Sequence, residues 1–140
     1  MSALEARPPS RQAQTQPSTI LIADDNEFIR KALFQLFTRE ADFEVCAQAE
    51  NGREAIEKAK QFDPDLIVLD LSMPVMNGFE AARELKQLMP AVPLIMFSAF
   101  ADKVAEEQAR QLGISALISK SQNAVRLVST ARDLLNRHVT

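Results

Sequence analysis

The 140-residue sequence has no tryptophan or tyrosine, one cysteine, one histidine and only three glycines. A single cysteine cannot form an internal disulfide, so a disulfide-stapled secreted scaffold is excluded and a cytoplasmic location is expected. No apolar run approaches the roughly 18 residues of a membrane span, and no signal-peptide core opens the chain. The net charge of −3 provides no broad basic field, so neither nucleic acid nor a membrane is an expected partner.

The composition itself is that of an ordinary globular domain, with 46% hydrophobic and 25% charged residues. Residues 1–18 differ from the rest, because they hold three of the seven prolines and only five hydrophobic residues. Such a segment buries too little apolar surface to offset the entropy of ordering, so a mobile tail is expected. We predict one domain over residues 19–137, followed by a short C-terminal end at 138–140.

From residue 19 onward, short apolar runs alternate with helical patterns. The runs are mostly continuous rather than alternating, which is typical of parallel strands covered on both faces. They lie at Ile20–Ala23, Phe43–Ala47, Leu66–Leu69, Val92–Phe97 and Ile114–Ile118. Five helical patterns separate or follow them. Four phenylalanines are core candidates: Phe34, Phe37, Phe62 and Phe79.

Helix-boundary signals agree with this division. Asn51 stands three residues before Glu54, and Asn77 three before Glu80, as in capping boxes. Gly113 follows a helical pattern where a left-handed residue is favoured. Five strands alternating with five helices predict a doubly wound α/β domain with a parallel sheet.

In such a sheet, ligands bind beyond the carboxyl ends of the strands. Asp24 and Asp25 follow the first run, Asp70 the third, Ser98 the fourth and Lys120 the fifth. Four of the five strand ends therefore deliver polar groups to one edge of the sheet.

Three converging carboxylates repel one another, at about 4 kcal/mol per pair for a 4 Å separation and an effective dielectric constant near 20. A divalent cation relieves this repulsion, and oxygen ligands without a Cys or His cluster favour Mg²⁺ or Mn²⁺. Lys120 and Ser98 could then contact the oxygens of a phosphoryl group, and one carboxylate could attack it. Geometry alone leaves the nucleophile open, although the proline-restricted loop after Asp70 favours that residue.

The combination of Asp24-Asp25, Asp70 in Asp-Leu-Ser-Met-Pro-Val-Met-Asn-Gly, Ser98-Ala99 and Lys120 resembles the receiver domain of bacterial response regulators. The resemblance covers residues 19–137 and implies a flavodoxin-like (βα)5 fold with strand order 2-1-3-4-5. It also implies a phosphoacceptor role for Asp70. Mg²⁺ would be held by Asp25 directly, by Asp24 mainly through water, and by Asp70 and the Ser72 carbonyl. Ser98 would then move toward the phosphoryl group, and Lys120 would pair with it.

Three positions depart from the family pattern. Ser121 follows Lys120 where many receivers have proline, often preceded by a cis bond, and Ser98 replaces the commoner threonine. Leu117 stands where relatives often have a Tyr or Phe that rotates on activation. Aromatic switching at that position is therefore not expected. Ser72 and Phe100, two residues beyond Asp70 and Ser98, flank the site.

The resemblance implies a self-catalysing signalling phosphoacceptor rather than a metabolic enzyme. Its expected partners are a sensor histidine kinase or phosphotransfer protein and a downstream protein target or output domain. The signal would leave through the face of the fourth helix, fifth strand and fifth helix. A monomer or a weak, phosphorylation-dependent dimer is expected. The alternatives are a receiver cut from a longer DNA-binding regulator, an Asp-nucleophile phosphohydrolase, and a phosphorylation-independent interaction module.

Overall fold

The computed structural model describes residues 16–122 and 124–139, with side chains up to residue 136. The strands are β1 (Ser18–Ala23), β2 (Phe43–Ala49), β3 (Leu66–Leu69), β4 (Leu94–Ser98) and β5 (Ala116–Ser119). The helices are α1 (Glu27–Thr38), α2 (Gly52–Phe62), α3 (Gly78–Leu88), α4 (Lys103–Leu112) and α5 (Val125–Val139). The predicted tail falls almost wholly in residues 1–15, which lie outside the described residues.

The five strands form one parallel sheet in the order β2-β1-β3-β4-β5, which confirms the predicted fold and strand order. Because the order reverses direction after β1, helices cover both faces of the sheet. None of the helices within the described ranges has the length and apolarity of a membrane span.

Successive strand residues point to opposite faces and build two separate cores. Leu21, Ile67 and Met96 belong to the core under α2, α3 and α4. Their chain neighbours Ile22 and Val68 belong to the core under α1 and α5. Both faces of the central strands are therefore buried, which explains why their sequences read as continuous apolar runs.

Helices α2 and α3 begin, and α4 ends, where the sequence signals predict, whereas α1 and α4 begin at caps that were not predicted. The side chains of Asn26, Asn51, Asn77 and Asp102 each accept a hydrogen bond from the backbone N–H three residues on. Asn77 and Glu80 form a complete capping box, whereas Glu54 accepts from the backbone N–H of Glu50 instead. Gly113 adopts the expected left-handed conformation, with φ of 78°.

The last two strands begin later than their apolar runs predict. The N–H of Val92 donates to the Met89 carbonyl and that of Ile114 to the Ala109 carbonyl, so both groups close helix-ending turns. β4 starts at Leu94 and β5 at Ala116 for this reason, and β4 extends to Ser98, which pairs with Ser119.

Two of the four phenylalanine predictions are wrong. Phe37 is fully buried and Phe79 packs partly against a core, but Phe34 and Phe62 are exposed. On α1 the buried face carries Leu33 and Phe37, spaced four residues apart, which turns Phe34 away by one position. Phe62 is the last residue of α2, beyond the buried positions of that helix.

Candidate functional site

Four neighbouring strands place the predicted polar residues at one edge of the sheet, which we call the acidic rim. Asp24 and Asp25 follow β1, Asp70 follows β3, Ser98 ends β4 and Lys120 follows β5. The N–H of Asp70 donates to the Ala23 carbonyl at 2.8 Å, and that of Lys120 to the Ser98 carbonyl at 2.8 Å. The backbones of Asp70 and Lys120 are thus each fixed by a hydrogen bond to the neighbouring strand.

The three aspartates form a cluster suited to a divalent cation. Asp24, Asp25 and Asp70 each offer a carboxylate oxygen, and these oxygens lie within 4.8 Å of one another. The ligand oxygens of octahedral Mg²⁺ lie no more than about 4.2 Å apart, so a cluster of this size suits an ion that is held partly through water. Asp24 and Asp70 are buried whereas Asp25 is exposed, which leaves room for the waters that Mg²⁺ retains.

The Lys120 ammonium lies between the two buried carboxylates. Its Nζ is 2.8 Å from Asp24 Oδ2 and 3.3 Å from Asp70 Oδ1. Burial lowers the pKa of Lys120, but the hydrogen bond and negative charge of Asp24, helped by Asp70, outweigh it and raise the pKa above its ordinary value. A positive charge is therefore fixed beside the predicted nucleophile.

Asp70 holds its proton more tightly than an ordinary aspartate. Burial and the charge of Asp24 raise its pKa to about 6, against the lowering effects of Lys120 and the Ser72 backbone N–H. The carboxylate is ionised near neutral pH and lies 5% exposed, so it is poorly solvated while charged. Poor solvation and a raised pKa both favour nucleophilic attack.

The turn after β1 is held by contacts that sequence reasoning did not predict. Asp24 Oδ1 accepts the Asn26 N–H at 2.9 Å, and Arg30 Nη1 donates to the Asp24 carbonyl at 2.8 Å. Arg30 was missed, and the only available signal is a basic residue on the helix that follows the acidic pair. It ties α1 to the acidic rim.

Two glycines enclose the loop between β3 and α3. A Cβ on Gly78 would stand 2.3 Å from the Asp70 carbonyl oxygen, and one on Gly52 would stand 2.4 Å from the Met76 carbonyl oxygen. The N–H of Gly52 donates to that same Met76 carbonyl at 2.9 Å. Both positions require glycine because backbone passes there at contact distance. Gly78 was noted in the sequence as part of this loop, whereas Gly52 was not.

The loop also contains a tight turn at Val75. Val75 has φ of 69°, a left-handed conformation that is strained for a β-branched residue. The Met76 N–H donates to the Pro74 carbonyl at 2.6 Å across it, as in a γ-turn. The Val75 side chain is 72% exposed, so the packing of the side chain does not impose the conformation.

The serines of the site differ in exposure. Ser98 is fully buried, and its Oγ accepts the Phe100 N–H at 2.9 Å. Ser72 is exposed beside Asp70, and its predicted role as a carbonyl ligand stays a prediction. Phe100 is 59% exposed at the rim, and Phe28 in the first turn of α1 is 85% exposed.

The structure also describes two of the positions that depart from the family pattern, Ser121 and Leu117. Lys120 and Ser121 are joined by a trans bond, as are all residues in the described ranges. Leu117 is partly buried against the core under α2, α3 and α4.

Known proteins resemble this chain over most of its length. A family model described as "Response regulator receiver domain" matches residues 20–132. The Bacillus subtilis chemotaxis protein CheY is 38% identical over 117 residues, which cover 84% of this chain and 97% of that protein. The Bacillus subtilis transcriptional regulatory protein LnrK is 35% identical over 109 residues, and there the match spans 78% of this chain and 50% of the relative.

Solved structures of other proteins are also similar to this chain. The response regulator domain of Thermotoga maritima CheB is 28% identical with a TM-score of 0.81, covering 86% of this chain and 98% of that one. A CheX-CheY-BeF3-Mg²⁺ complex from Borrelia burgdorferi contains a chain 26% identical to this one, with a TM-score of 0.82. That match covers 88% of this chain and 92% of the other.

Proposed function

Because the chain belongs to the response regulator receiver family, we propose that Asp70 accepts a phosphoryl group from the phosphohistidine of a sensor kinase or phosphotransfer protein. The observation that carries this proposal is the pairing of buried Asp70 and Asp24 with the Lys120 ammonium. A carboxylate with a raised pKa lies beside a fixed positive charge, at a sheet edge open to solvent.

In the proposed step, an Asp70 carboxylate oxygen attacks phosphorus in line with the phosphohistidine nitrogen. The new O–P bond forms as the P–N bond breaks, and the electron pair of that bond remains on the imidazole nitrogen. Lys120, now 3.3 Å from Asp70, is placed to pair with the oxygens of the transferred group. Hydrolysis of the acyl phosphate by water returns Asp70 to its carboxylate.

Mg²⁺, or Mn²⁺ in its place, would be held by Asp24, Asp25, Asp70 and the Ser72 carbonyl. When bound, the ion supplies positive charge that offsets the carboxylates and the phosphoryl oxygens. Both Asp24 carboxylate oxygens already have partners, in Asn26 N–H and Lys120 Nζ. These partners agree with a water-mediated role for Asp24 and a direct one for the exposed Asp25.

Ser98 would convert phosphorylation into a conformational signal. Its Oγ accepts the Phe100 N–H, so turning toward a phosphoryl group would release the loop that leads into α4. The responsive face is formed by α4, β5 and α5 and carries the exposed Val104. The change is a population shift between two states that the phosphoryl group contacts unequally.

Two kinds of output follow from the relatives. Acting alone, the domain would signal by protein contact, as its near full-length match to CheY favours. As part of a longer regulator it would signal to an attached output domain, which the half-length match to LnrK favours. The exposed Ser72 stands where an Asp-nucleophile phosphohydrolase would carry a second acid, so that alternative is disfavoured.

The test is labelling by acetyl phosphate in the presence of Mg²⁺. We expect wild-type protein to form an acid-labile, hydroxylamine-sensitive adduct and Asp70→Asn to form none. Asp63→Asn is the matched control, because Asp63 is exposed at the opposite end of the strands and asparagine tolerates its left-handed φ of 49°. Persistent labelling of Asp70→Asn would place the nucleophile elsewhere.

A further inference from the structure

Ser98 and Ser119 end neighbouring strands and close the same kind of turn. They are paired in the β4–β5 register. Ser98 Oγ accepts the Phe100 N–H at 2.9 Å, and Ser119 Oγ accepts the Ser121 N–H at 3.2 Å. In each case a strand-ending hydroxyl caps the N–H two residues later.

The second of these turns contains Lys120. Ser119 Oγ also lies 2.7 Å from Ser121 Oγ, where either hydroxyl can donate, and the Ser119 carbonyl accepts the Gln122 N–H at 3.0 Å. The Lys120 N–H is held by the Ser98 carbonyl. Contacts on both sides therefore fix the backbone from which the Lys120 side chain reaches Asp24 and Asp70.

We propose that Ser119 is a positioning residue, whose hydroxyl closes the turn that aims the Lys120 ammonium between Asp24 and Asp70. The Lys120–Ser121 bond is trans and Ser121 retains an N–H, so the turn is held by hydrogen bonds rather than by a ring. Ser98 can leave its own turn while Ser119 keeps Lys120 in place. The proposal rests on the proposed function for its consequence in phosphoryl transfer, but its geometry can be tested with Mg²⁺ alone.

The position of Lys120 predicts effects of opposite sign for two measurements. The ammonium neutralises the carboxylates that would hold Mg²⁺, so displacing it should tighten Mg²⁺ binding. The same ammonium is placed to stabilise phosphoryl oxygens, so displacing it should slow phosphorylation. A general loosening of the structure would instead weaken Mg²⁺ binding and also slow phosphorylation.

The experiment compares Ser119→Ala, Ser119→Thr and Ser129→Ala in the full chain. Mg²⁺ titrations are followed by backbone amide NMR, since the chain has no tryptophan or tyrosine for fluorescence. For Ser119→Ala we expect the Mg²⁺ dissociation constant to fall at least about threefold. Labelling by acetyl phosphate should slow by about tenfold, short of the loss seen when a charge-stabilising donor is removed outright.

The other variants complete the comparison. Ser119→Thr retains the hydroxyl and should restore both values. Ser129→Ala removes a hydroxyl that donates to the Arg126 carbonyl within α5 rather than to the turn around Lys120, and should change neither value. Thermal unfolding of all three checks that the fold is intact.

The two proposals fail separately. Unchanged or weaker Mg²⁺ binding in Ser119→Ala, or Ser119→Thr behaving like it, would overturn the positioning role even if Asp70 is labelled normally. If the wild-type protein takes no label, the phosphoacceptor function is overturned. The Mg²⁺ titrations would still decide whether Ser119 positions Lys120.

Discussion

At the scale of single residues, the acidic rim holds a charge balance that depends on pH. Asp70 faces Asp24, Asp25, the Lys120 ammonium and the Ser72 N–H. Burial and the charge of Asp24 raise its pKa from 3.8 to about 6. The folded chain therefore binds the proton of the Asp70 carboxyl group more tightly than the unfolded chain does. The stability that this gives is complete below about pH 4 and is lost as the pH rises through about 6.

Asp70→Asn should therefore stabilise the metal-free protein, and only above the pKa of the aspartate. In a chelating buffer, we expect its free energy of unfolding to exceed that of the wild type by about 2 kcal/mol at pH 7.5, with little difference at pH 4. Urea unfolding across this range measures the difference, and Asp63→Asn serves as the control. An advantage that is equal at both pH values would show that the titration of Asp70 is not its source.

At the scale of elements, the β3–α3 loop is constrained at several points. Gly52 and Gly78 allow contact between backbones, and the capping box at Asn77 begins α3 immediately afterward. Within this loop, Val75 adopts a left-handed conformation that its branched side chain disfavours. The loop holds the strain because it is joined to α2 through Met76 and to Leu71 through the Gly78 N–H.

Val75→Asn should stabilise the protein, because asparagine adopts the left-handed region at lower cost than valine. We expect a gain of about 1 kcal/mol in the free energy of unfolding, measured with urea. Val104→Asn is the matched control, since Val104 is similarly exposed but lies on α4. Valine and asparagine have similar helix propensities, so that change should be nearly neutral. A loss of stability in Val75→Asn would mean that the valine side chain contributes packing that outweighs the strain.

At the scale of the whole molecule, the proposed chemistry lies at one end of the sheet and a proline-lined cavity at the other. A cavity of about 430 Å³ opens near the amino ends of the strands and is lined by Pro17, Pro64 and Pro93 among others. The acidic rim lies at the carboxyl ends. A site that receives a phosphoryl group from another protein must be open, so a shallow rim suits this function better than an enclosed pocket.

The response to phosphorylation should be confined to the end of the sheet that carries the acidic rim and to the face of α4, β5 and α5. On addition of beryllofluoride and Mg²⁺, we expect backbone amide shifts at the acidic rim and along α4, β5 and α5, with little change around Asp63 and Pro93. Lys120→Ala should retain shifts at the acidic rim but lose most of those on α4, β5 and α5, because the ammonium joins β5 to the proposed phosphoryl position. NMR spectra of both proteins test this. Uniform shifts over the whole molecule, or none, would contradict a directed switch.

The order of elements, the helix boundaries at Asn51, Asn77 and Gly113, and the identity of the rim residues followed from the sequence because they depend on local patterns. Continuous apolar runs marked the strands, and strand-ending Asp24, Asp70 and Lys120 marked one edge of a parallel sheet. Boundaries were less accurate at β4 and β5, where helix-ending turns use the N–H groups of Val92 and Ile114. The exposure of Phe34 was missed because hydrophobicity does not tell which face of a helix meets the sheet, and that of Phe62 because it lies at the end of α2.

Only the tertiary structure decided which groups touch. The place of the Lys120 ammonium between two buried carboxylates joins residues 24, 70 and 120, and the contact of Arg30 with Asp24 depends on the angle at which α1 leaves the sheet. The close approach at Gly52 likewise joins two loops that are distant in the chain. Local sequence determines secondary structure and the type of charge at each strand end, whereas distances between side chains arise from packing the whole chain around two cores.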